Sequence, residues 1–314
     1  MTRPAPGELV VGTRGSPLAL TQTESVVALL RAAEPALEIR VQRITTKGDV
    51  MRDVPLATLG GRGVFVDAIE EALRSGEIDV AVHSAKDMPS RVPPDLAIAA
   101  FLERADARDV IVSRAGTLAE LPPGARVGTS SLRRASQIRR VRPDLDLRDL
   151  RGNVDTRLRK LDAKEYDAIV LAAAGLARLG LSARVTEWLP VERMVPSPGQ
   201  GALAIETRAD DARVRALVER LDHAPTSAAV VAERAFLARL GVGCAAAVGA
   251  YATLEPDDRL TLVAMIGAPD GRSVQAHRTA ERHRATALGE AMADVLLDTG
   301  GRALVAAFSR EILT

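Results

Sequence analysis

The run His83-Ser84-Ala85-Lys86-Asp87-Met88-Pro89 sets a hydroxyl, a cation and a carboxylate within four residues. A carboxylate so placed can stabilise a positively charged intermediate, while serine and lysine hold an anionic substituent. Spacing alone also allows a blander reading, with Lys86 and Asp87 as a surface ion pair and His83 as a packed strand residue. A second set lies in Gly128-Thr129-Ser130-Ser131, directly before Arg133 and Arg134. Backbone N–H groups at a helix start, hydroxyls and guanidinium forks together suit a carboxylate or a phosphate. From Arg126 to Lys160 eleven basic residues outnumber four acidic ones, so this segment carries +7 and the remainder of a +1 chain carries −6. A solvated, arginine-rich helix face is the competing reading. Thr13-Arg14-Gly15-Ser16 offers another hydroxyl and cation, or simply a capped helix start. Cys244, in Gly241-Val242-Gly243-Cys244-Ala245, has small neighbours that leave its sulfur approachable, although a lone free cysteine is more often a small hydrophobe.

Open α/β sheets present ligands at the carboxyl ends of their strands, and the pattern around each set fits that arrangement. Residues 9–13 read as a strand, Ser16-Pro17 as a helix start with serine at the cap and proline in the first turn, and 38–44 as the next strand. Phe65, Ile69, Ala72 and Leu73 keep helical spacing up to Gly76, and 79–83 is a buried strand that delivers Ser84, Lys86 and Asp87. A charged stretch between Phe101 and Asp109 interrupts the pattern and marks a boundary. A second series follows. It has a strand entering at 126–129, a basic helix, a helix over 151–161 with Val154, Leu158 and Leu161 at helical spacing, and a strand over 168–171. Pro196-Ser197-Pro198-Gly199-Gln200-Gly201 reads as a hinge. A helix from about Thr226 to Leu240 precedes Cys244, and alternation at Leu260, Leu262, Ala264 and Ile266 then predicts antiparallel strands, closed by a helix from about Ala285.

The chain has 314 residues, of which 47% are hydrophobic, 26% charged and 2% aromatic, with one cysteine. At ~150 residues per domain that length admits two domains or more. Balanced charge excludes a globally basic coat for nucleic acid, and scarce aromatics leave few platforms on which bases stack. A single cysteine permits neither an intrachain disulfide nor a multi-cysteine metal cluster, so no metal is expected. The N-terminus lacks the basic-then-apolar order of a signal peptide, and no apolar run reaches the ~18 residues of a membrane span. A cytoplasmic protein without a membrane partner is expected.

Six segments then carry a resemblance. They are Val11-Gly-Thr-Arg-Gly-Ser-Pro-Leu-Ala-Leu20, Val82-His-Ser-Ala-Lys-Asp-Met-Pro89, Val127-Gly-Thr-Ser-Ser-Leu-Arg-Arg134, Leu150-Arg-Gly-Asn-Val-Asp-Thr-Arg157, Pro198-Gly-Gln-Gly-Ala202 and Ala232-Glu-Arg-Ala-Phe-Leu237. In this order, and almost end to end, the chain resembles the hydroxymethylbilane synthase (porphobilinogen deaminase) family; any one segment alone would be weak. The resemblance implies an α/β fold of two periplasmic-binding-protein-like (type II) domains around a cleft, plus a small α+β C-terminal domain. Residues 1–101 and 201–219 would form domain 1, 107–196 domain 2, and 223–314 domain 3. It implies a transferase that joins four porphobilinogen molecules head to tail into linear hydroxymethylbilane with release of ammonia, in porphyrin and haem biosynthesis. A dipyrromethane cofactor, held by a thioether to Cys244, would prime the reaction.

By match, Asp87 is the catalytic carboxylate, placed to stabilise the electron-poor azafulvenium that loss of ammonia leaves. Ser84, Lys86, Thr129, Ser131, Arg133, Arg134, Arg151 and Gly152 join Cys244 in holding the cofactor, and Arg14, Ser16, Arg62, Phe65 and Arg157 hold substrate. Porphobilinogen bears acetate and propionate groups, which gives the arginines a reason. Arg62 stands where the family commonly has lysine, and Val242 and Ala247 stand where many relatives have glycine and proline around the cysteine. A monomer with porphobilinogen as its small-molecule partner, and with no nucleic acid, is implied. Two other classes make different demands. A non-catalytic anion-binding protein of the same architecture would carry no adduct at Cys244, and a nucleic-acid binder using the Arg126 to Lys160 segment would bind with steep salt dependence.

Overall fold

The computed structural model describes residues 8–46, 48, 66–242 and 246–311. Arg62, Phe65 and Cys244 lie outside the described residues. The chain divides into two compact units, Met1–Ala105 with Ala202–Ser227, and Asp106–Gly201 with Ala228–Thr314.

In the first unit β1 (Glu8–Arg14), β2 (Glu38–Ile44), β3 (Val80–Ser84), β4 (Leu96–Phe101) and β10 (Leu203–Arg208) form one sheet in the order β2-β1-β3-β10-β4. β1 is parallel to β2 and β3, whereas β10 runs antiparallel to β3 and β4, setting Leu203 opposite Ser84 and Ala204 opposite Phe101. Helices cover both faces, which is why these strands are near-continuous apolar runs. α1 (Pro17–Ala33) starts where serine and proline predict, with Ser16 Oγ accepting the Ala19 N–H at 3.3 Å. It sends Val26, Val27 and Leu30 against Leu9, Val11, Val80 and Ile205, a face shared with Val214 and Val218 of α6 (Ala212–Glu219). α2 (Asp67–Arg74) sends Ile69, Ala72 and Leu73 against Val10, Ile78 and Ala81. Alternate residues of β1 thus face opposite layers.

The second unit contains β5 (Asp109–Ser113), β6 (Arg126–Gly128), β7 (Asp146–Arg148), β8 (Ala168–Ala172) and β9 (Glu187–Leu189) in the order β7-β6-β8-β5-β9. β6 is parallel to β7 and β8, and β5 is antiparallel to β8 and β9. The strand that enters this unit, β5, therefore holds the place in its sheet that the returning strand, β10, holds in the first. Helices α3 (Leu132–Val141), α4 (Val154–Asp162) and α5 (Ala173–Arg178) follow β6, β7 and β8. The helix expected from residue 151 begins at Val154 because Gly152 has a φ of +109°, outside any helical conformation and available at low cost only to glycine.

The same unit carries, from Ala228 on, most of α7 (Ala224–Leu240), the antiparallel sheet β11 (Val248–Leu254), β12 (Arg259–Gly267) and β13 (Ser273–Glu281), then α8 (Ala285–Leu296) and α9 (Arg302–Glu311). Phe236 of α7 and Met292 of α8 pack with Leu260, Leu262 and Ile266 of β12. Each such side chain contributes about 1.5–3 kcal/mol on burial. This α+β element seats on α3: a Cβ at Gly267 would strike the Ser136 hydroxyl, and Arg139 donates to the Pro269 carbonyl. Among the described residues, no helix is long and apolar enough to cross a membrane.

Candidate active site

Parallel pairing of β1 with β3 delivers Arg14 and Ser16 to the same edge of the first sheet as Ser84, Lys86 and Asp87. A single 3-10 turn, Ala85–Asp87, follows β3. Its first N–H donates to the Ala202 carbonyl at 3.0 Å, and Met88 beyond it is buried. Anchored at both ends, the turn leaves Asp87 exposed. Among the described residues Asp87 makes no hydrogen bond or ion pair, so the surface pair with Lys86 that the sequence allowed does not form. Ser84 is fixed by buried Gln22 of α1, whose Nε2 donates to Ser84 Oγ at 3.1 Å. The sequence reading assigned Gln22 nothing, because a glutamine in a helix carries no positional signal.

His83 is packed, with Nε2 at 3.1 Å from Glu206 Oε2 on β10. Burial, and then the charge on Glu206, raise the pKa of Glu70 on α2, with the Arg74 guanidinium opposing them.

In the second unit the parallel pairs β6–β7 and β6–β8 bring Thr129 to Ser131, Arg151 to Gly152, and α5 off one edge. Thr129 Oγ1 accepts the Ser131 N–H at 3.2 Å, and Ser131 caps α3 by accepting the Arg134 N–H at 3.4 Å. Ser130 joins the two loops, accepting the Leu150 N–H at 3.2 Å and donating to the Leu150 carbonyl. Arg157 Nε donates to the Gly152 carbonyl at 2.7 Å, and Arg151 pairs with Asp149 at 2.7 Å.

Arg133 and Arg134 are not the open forks that the sequence suggested. They are 4% and 6% exposed, and both are committed to fully buried Asp109 at 2.6 and 2.7 Å. Arg133 also donates to the Val195 carbonyl and Arg134 to the Val170 carbonyl. Burial works against ionisation of Asp109, but the two guanidinium charges outweigh it and hold its carboxyl well below the usual carboxylate range. Acids from outside the +7 segment, Asp109 and Asp167, offset two of its charges, and the four acids inside it are already counted in that sum. Arg126 pairs with Asp167, Arg142 with Asp144, Arg148 with Asp146 and Arg159 with Asp155.

Arg178, which the sequence reading passed over in an alanine-rich helix, is half-buried at the end of α5 and donates to the Gly201 carbonyl at 2.7 Å. No carboxylate lies within ion-pair distance of it among the described residues, and burial pushes its pKa below the ordinary value.

Residues 9–216 match the family model for porphobilinogen deaminase, dipyromethane cofactor binding domain, and 227–298 match porphobilinogen deaminase, C-terminal domain. A porphobilinogen deaminase of Roseiflexus castenholzii is 56% identical over 95% of this chain and 98% of its own. Relatives of the same name from Brevibacillus brevis (49%, over 97% of this chain and 99% of theirs) and Pelobacter propionicus (48%, over 98% and 99%) are similar. Fold and family match define an α/β enzyme with two five-stranded mixed sheets and a small α+β element. The chain belongs to the porphobilinogen deaminase family. Its residues fit the dipyrromethane named by the family model: hydroxyls at Thr129 and Ser131, the α3 N-terminus and an uncompensated Arg178 are donors suited to that group's carboxylates.

Proposed function

We propose that the protein condenses four porphobilinogen molecules head to tail into linear hydroxymethylbilane with release of ammonia, the hydroxymethylbilane synthase reaction of porphyrin and haem biosynthesis. The observation that carries this reading is Asp87, exposed and unneutralised at the carboxyl edge of β3, next to Lys86 and close to Ser84. Loss of ammonia leaves the aminomethyl carbon of the substrate electron-poor, with positive charge delocalised toward the pyrrole nitrogen. Asp87 accepts the pyrrole N–H and stabilises that charge, with no fixed cation among the described residues competing for its carboxylate. Arg14, Ser16, Arg62, Phe65 and Arg157 hold substrate, the arginines through its acetate and propionate groups, and Arg178 adds a further cation.

When bound, the dipyrromethane supplies a nucleophilic pyrrole carbon and a covalent anchor, which makes each condensation effectively intramolecular. Cys244 holds it by a thioether, and Ser84, Lys86, Thr129, Ser131, Arg151 and Gly152 hold its side chains. Arg133 and Arg134 act from beneath, as a buried cluster that is net positive after Asp109 is counted. The working division is domain 1 at 1–101 with 201–219, domain 2 at 107–196 and domain 3 at 223–314, in a cytoplasmic monomer with no nucleic-acid or membrane partner.

The test is the intact mass of the purified protein, before and after incubation with porphobilinogen, with peptide mapping and ammonia release. A gain of two linked pyrrole units on the peptide containing Cys244, with substrate consumed, is the expected result. A chain that gains no adduct and consumes no porphobilinogen refutes the proposal.

A further inference from the structure

Two of the segments that carry the family resemblance, Pro198-Gly199-Gln200-Gly201 and Ala232-Glu233-Arg234, have no part in the chemistry proposed above. In the structure they meet. Glu233 of α7 is fully buried, and its two carboxylate oxygens accept different backbone donors: the Gly199 N–H at 2.6 Å and the Ala252 N–H of β11 at 2.7 Å. The next residue, Gln200, is 1% exposed and donates Nε2 to the Ala107 carbonyl at 2.7 Å and to Asp109 Oδ1 at 3.0 Å. Asp109 in turn holds Arg133 and Arg134. One peptide, Gly199-Gln200, is thus gripped from α7 and β11 on one side and from the arginine cluster on the other.

A buried carboxylate is costly, and this one is offset by two buried backbone N–H groups that an apolar side chain would leave unpaired. What the carboxylate adds is direction, since its two oxygens fix two backbone segments relative to each other. Those segments matter because Cys244 falls in the sequence between the end of α7 at Leu240 and the start of β11 at Val248. Resting on the proposed function, we infer that Glu233 and Gln200 are positioning residues. Acting through the Gly199-Gln200 peptide, they set the α7–β11 frame that flanks Cys244 in register with the Asp109-bound arginine pair. The two elements between which Cys244 lies in the sequence and the buried arginine cluster under the α3 N-terminus then share one reference. Displacement of such a reference by ~1 Å is enough to slow chemistry by up to ~100-fold without altering the groups that touch substrate.

Glu233→Gln keeps shape but turns an NH2 toward one of the two backbone N–H groups, and Gln200→Met removes both side-chain donations. Each single variant and the double are purified as holoenzyme and as apoprotein, beside wild type. Four quantities are read: melting temperature, hydrogen exchange at the peptides holding Gly199 and Ala252, the rate of cofactor loading by intact mass, and kcat and KM for porphobilinogen. Expected in Glu233→Gln is faster exchange at both peptides. Expected in each single is slower loading and a roughly 10-fold fall in kcat with KM within about twofold, and the double no worse than the poorer single. Variants that melt earlier but load and turn over like wild type overturn the inference, as do losses that multiply in the double. Should Glu233→Gln fail to fold, Gln200→Met decides by the same loading and kcat criteria. A wild type that neither loads nor turns over refutes the proposed reaction and this inference with it, whereas a competent wild type with unaffected variants refutes the positioning alone.

Discussion

Arg134 grips Asp109 through two nitrogens, Nε at 3.1 Å and Nη2 at 2.7 Å, in a place where neither residue is appreciably exposed. Removing one partner of a buried ion cluster is destabilising by about 3–5 kcal/mol. Arg134→Leu is therefore expected to lower unfolding free energy by about 3 kcal/mol, and Asp109→Asn, which strands two cations, by at least as much. Chemical denaturation at neutral pH checks both, and a wild-type midpoint would show that the cluster adds no stability.

The pH dependence has two opposed parts. The depressed pKa of Asp109 makes its stabilisation complete above its ordinary 3.8 and lost progressively as pH falls below that value. Glu70 has a raised pKa, first from burial and then from Glu206, so its stabilisation is complete below its ordinary 4.5 and lost as pH rises above it. Relative to wild type, Glu70→Gln should gain stability between about pH 4 and 7, while the deficit of Asp109→Asn should shrink below about pH 4. Urea titrations across that range measure both differences, and slopes of the opposite sign would contradict the assignment.

Asp87 is exposed and has no hydrogen-bond or ion-pair partner among the described residues, and its loss should leave folding within about 0.5 kcal/mol of wild type. Turnover of Asp87→Ala should fall by about 100-fold or more, the scale on which a preorganised charge-stabilising group acts. Activity close to wild type in a folded variant would remove Asp87 from its assigned role.

Arg178→Gln removes a half-buried cation that lacks a carboxylate partner among the described residues, so its melting temperature should not fall. Loss of a hydrogen-bonded ionic contact worth about 1.5–3 kcal/mol should weaken kcat/KM for porphobilinogen by ~10-fold or more. A destabilised protein with unchanged kinetics would mark Arg178 as structural.

Cys244→Ser should yield a chain without the thioether-bound pyrrole pair after incubation with porphobilinogen. Intact mass reads this directly, and an adduct recovered on another peptide would move the attachment site.

Much of the scaffold was legible because its periodicity is strong. Ile69, Ala72 and Leu73 marked α2, Ser16-Pro17 marked the start of α1, and the alternation in β12 marked an antiparallel sheet. The position of Asp87 after a buried strand was equally readable, since strand ends in open α/β sheets are where loops carry chemistry. Charge was misread for an identifiable reason. Asp146 with Arg148, and Asp149 with Arg151, stand two residues apart and occupy those guanidinium groups, which a net-charge sum does not show. Asp109, 24 residues from Arg133, could be joined to it only by the sheet. Gln200 and Glu233 were visible inside recognised motifs, yet they bond to backbone groups, and Gln200 also to distant Asp109, which no local side-chain pattern announces.

The place of β10 has a consequence for how the protein is made. It lies between β3 and β4, yet it begins at Leu203, about a hundred residues after β4 ends at Phe101. At ~5–20 residues per second on the ribosome, the first sheet waits roughly 5–20 s with an interior strand missing. Throughout that interval β3 and β4 each present an unpaired edge open to other chains. A chain that terminated before Leu203 would keep those edges for good, so nascent and truncated products should depend on chaperones far more than the finished protein does.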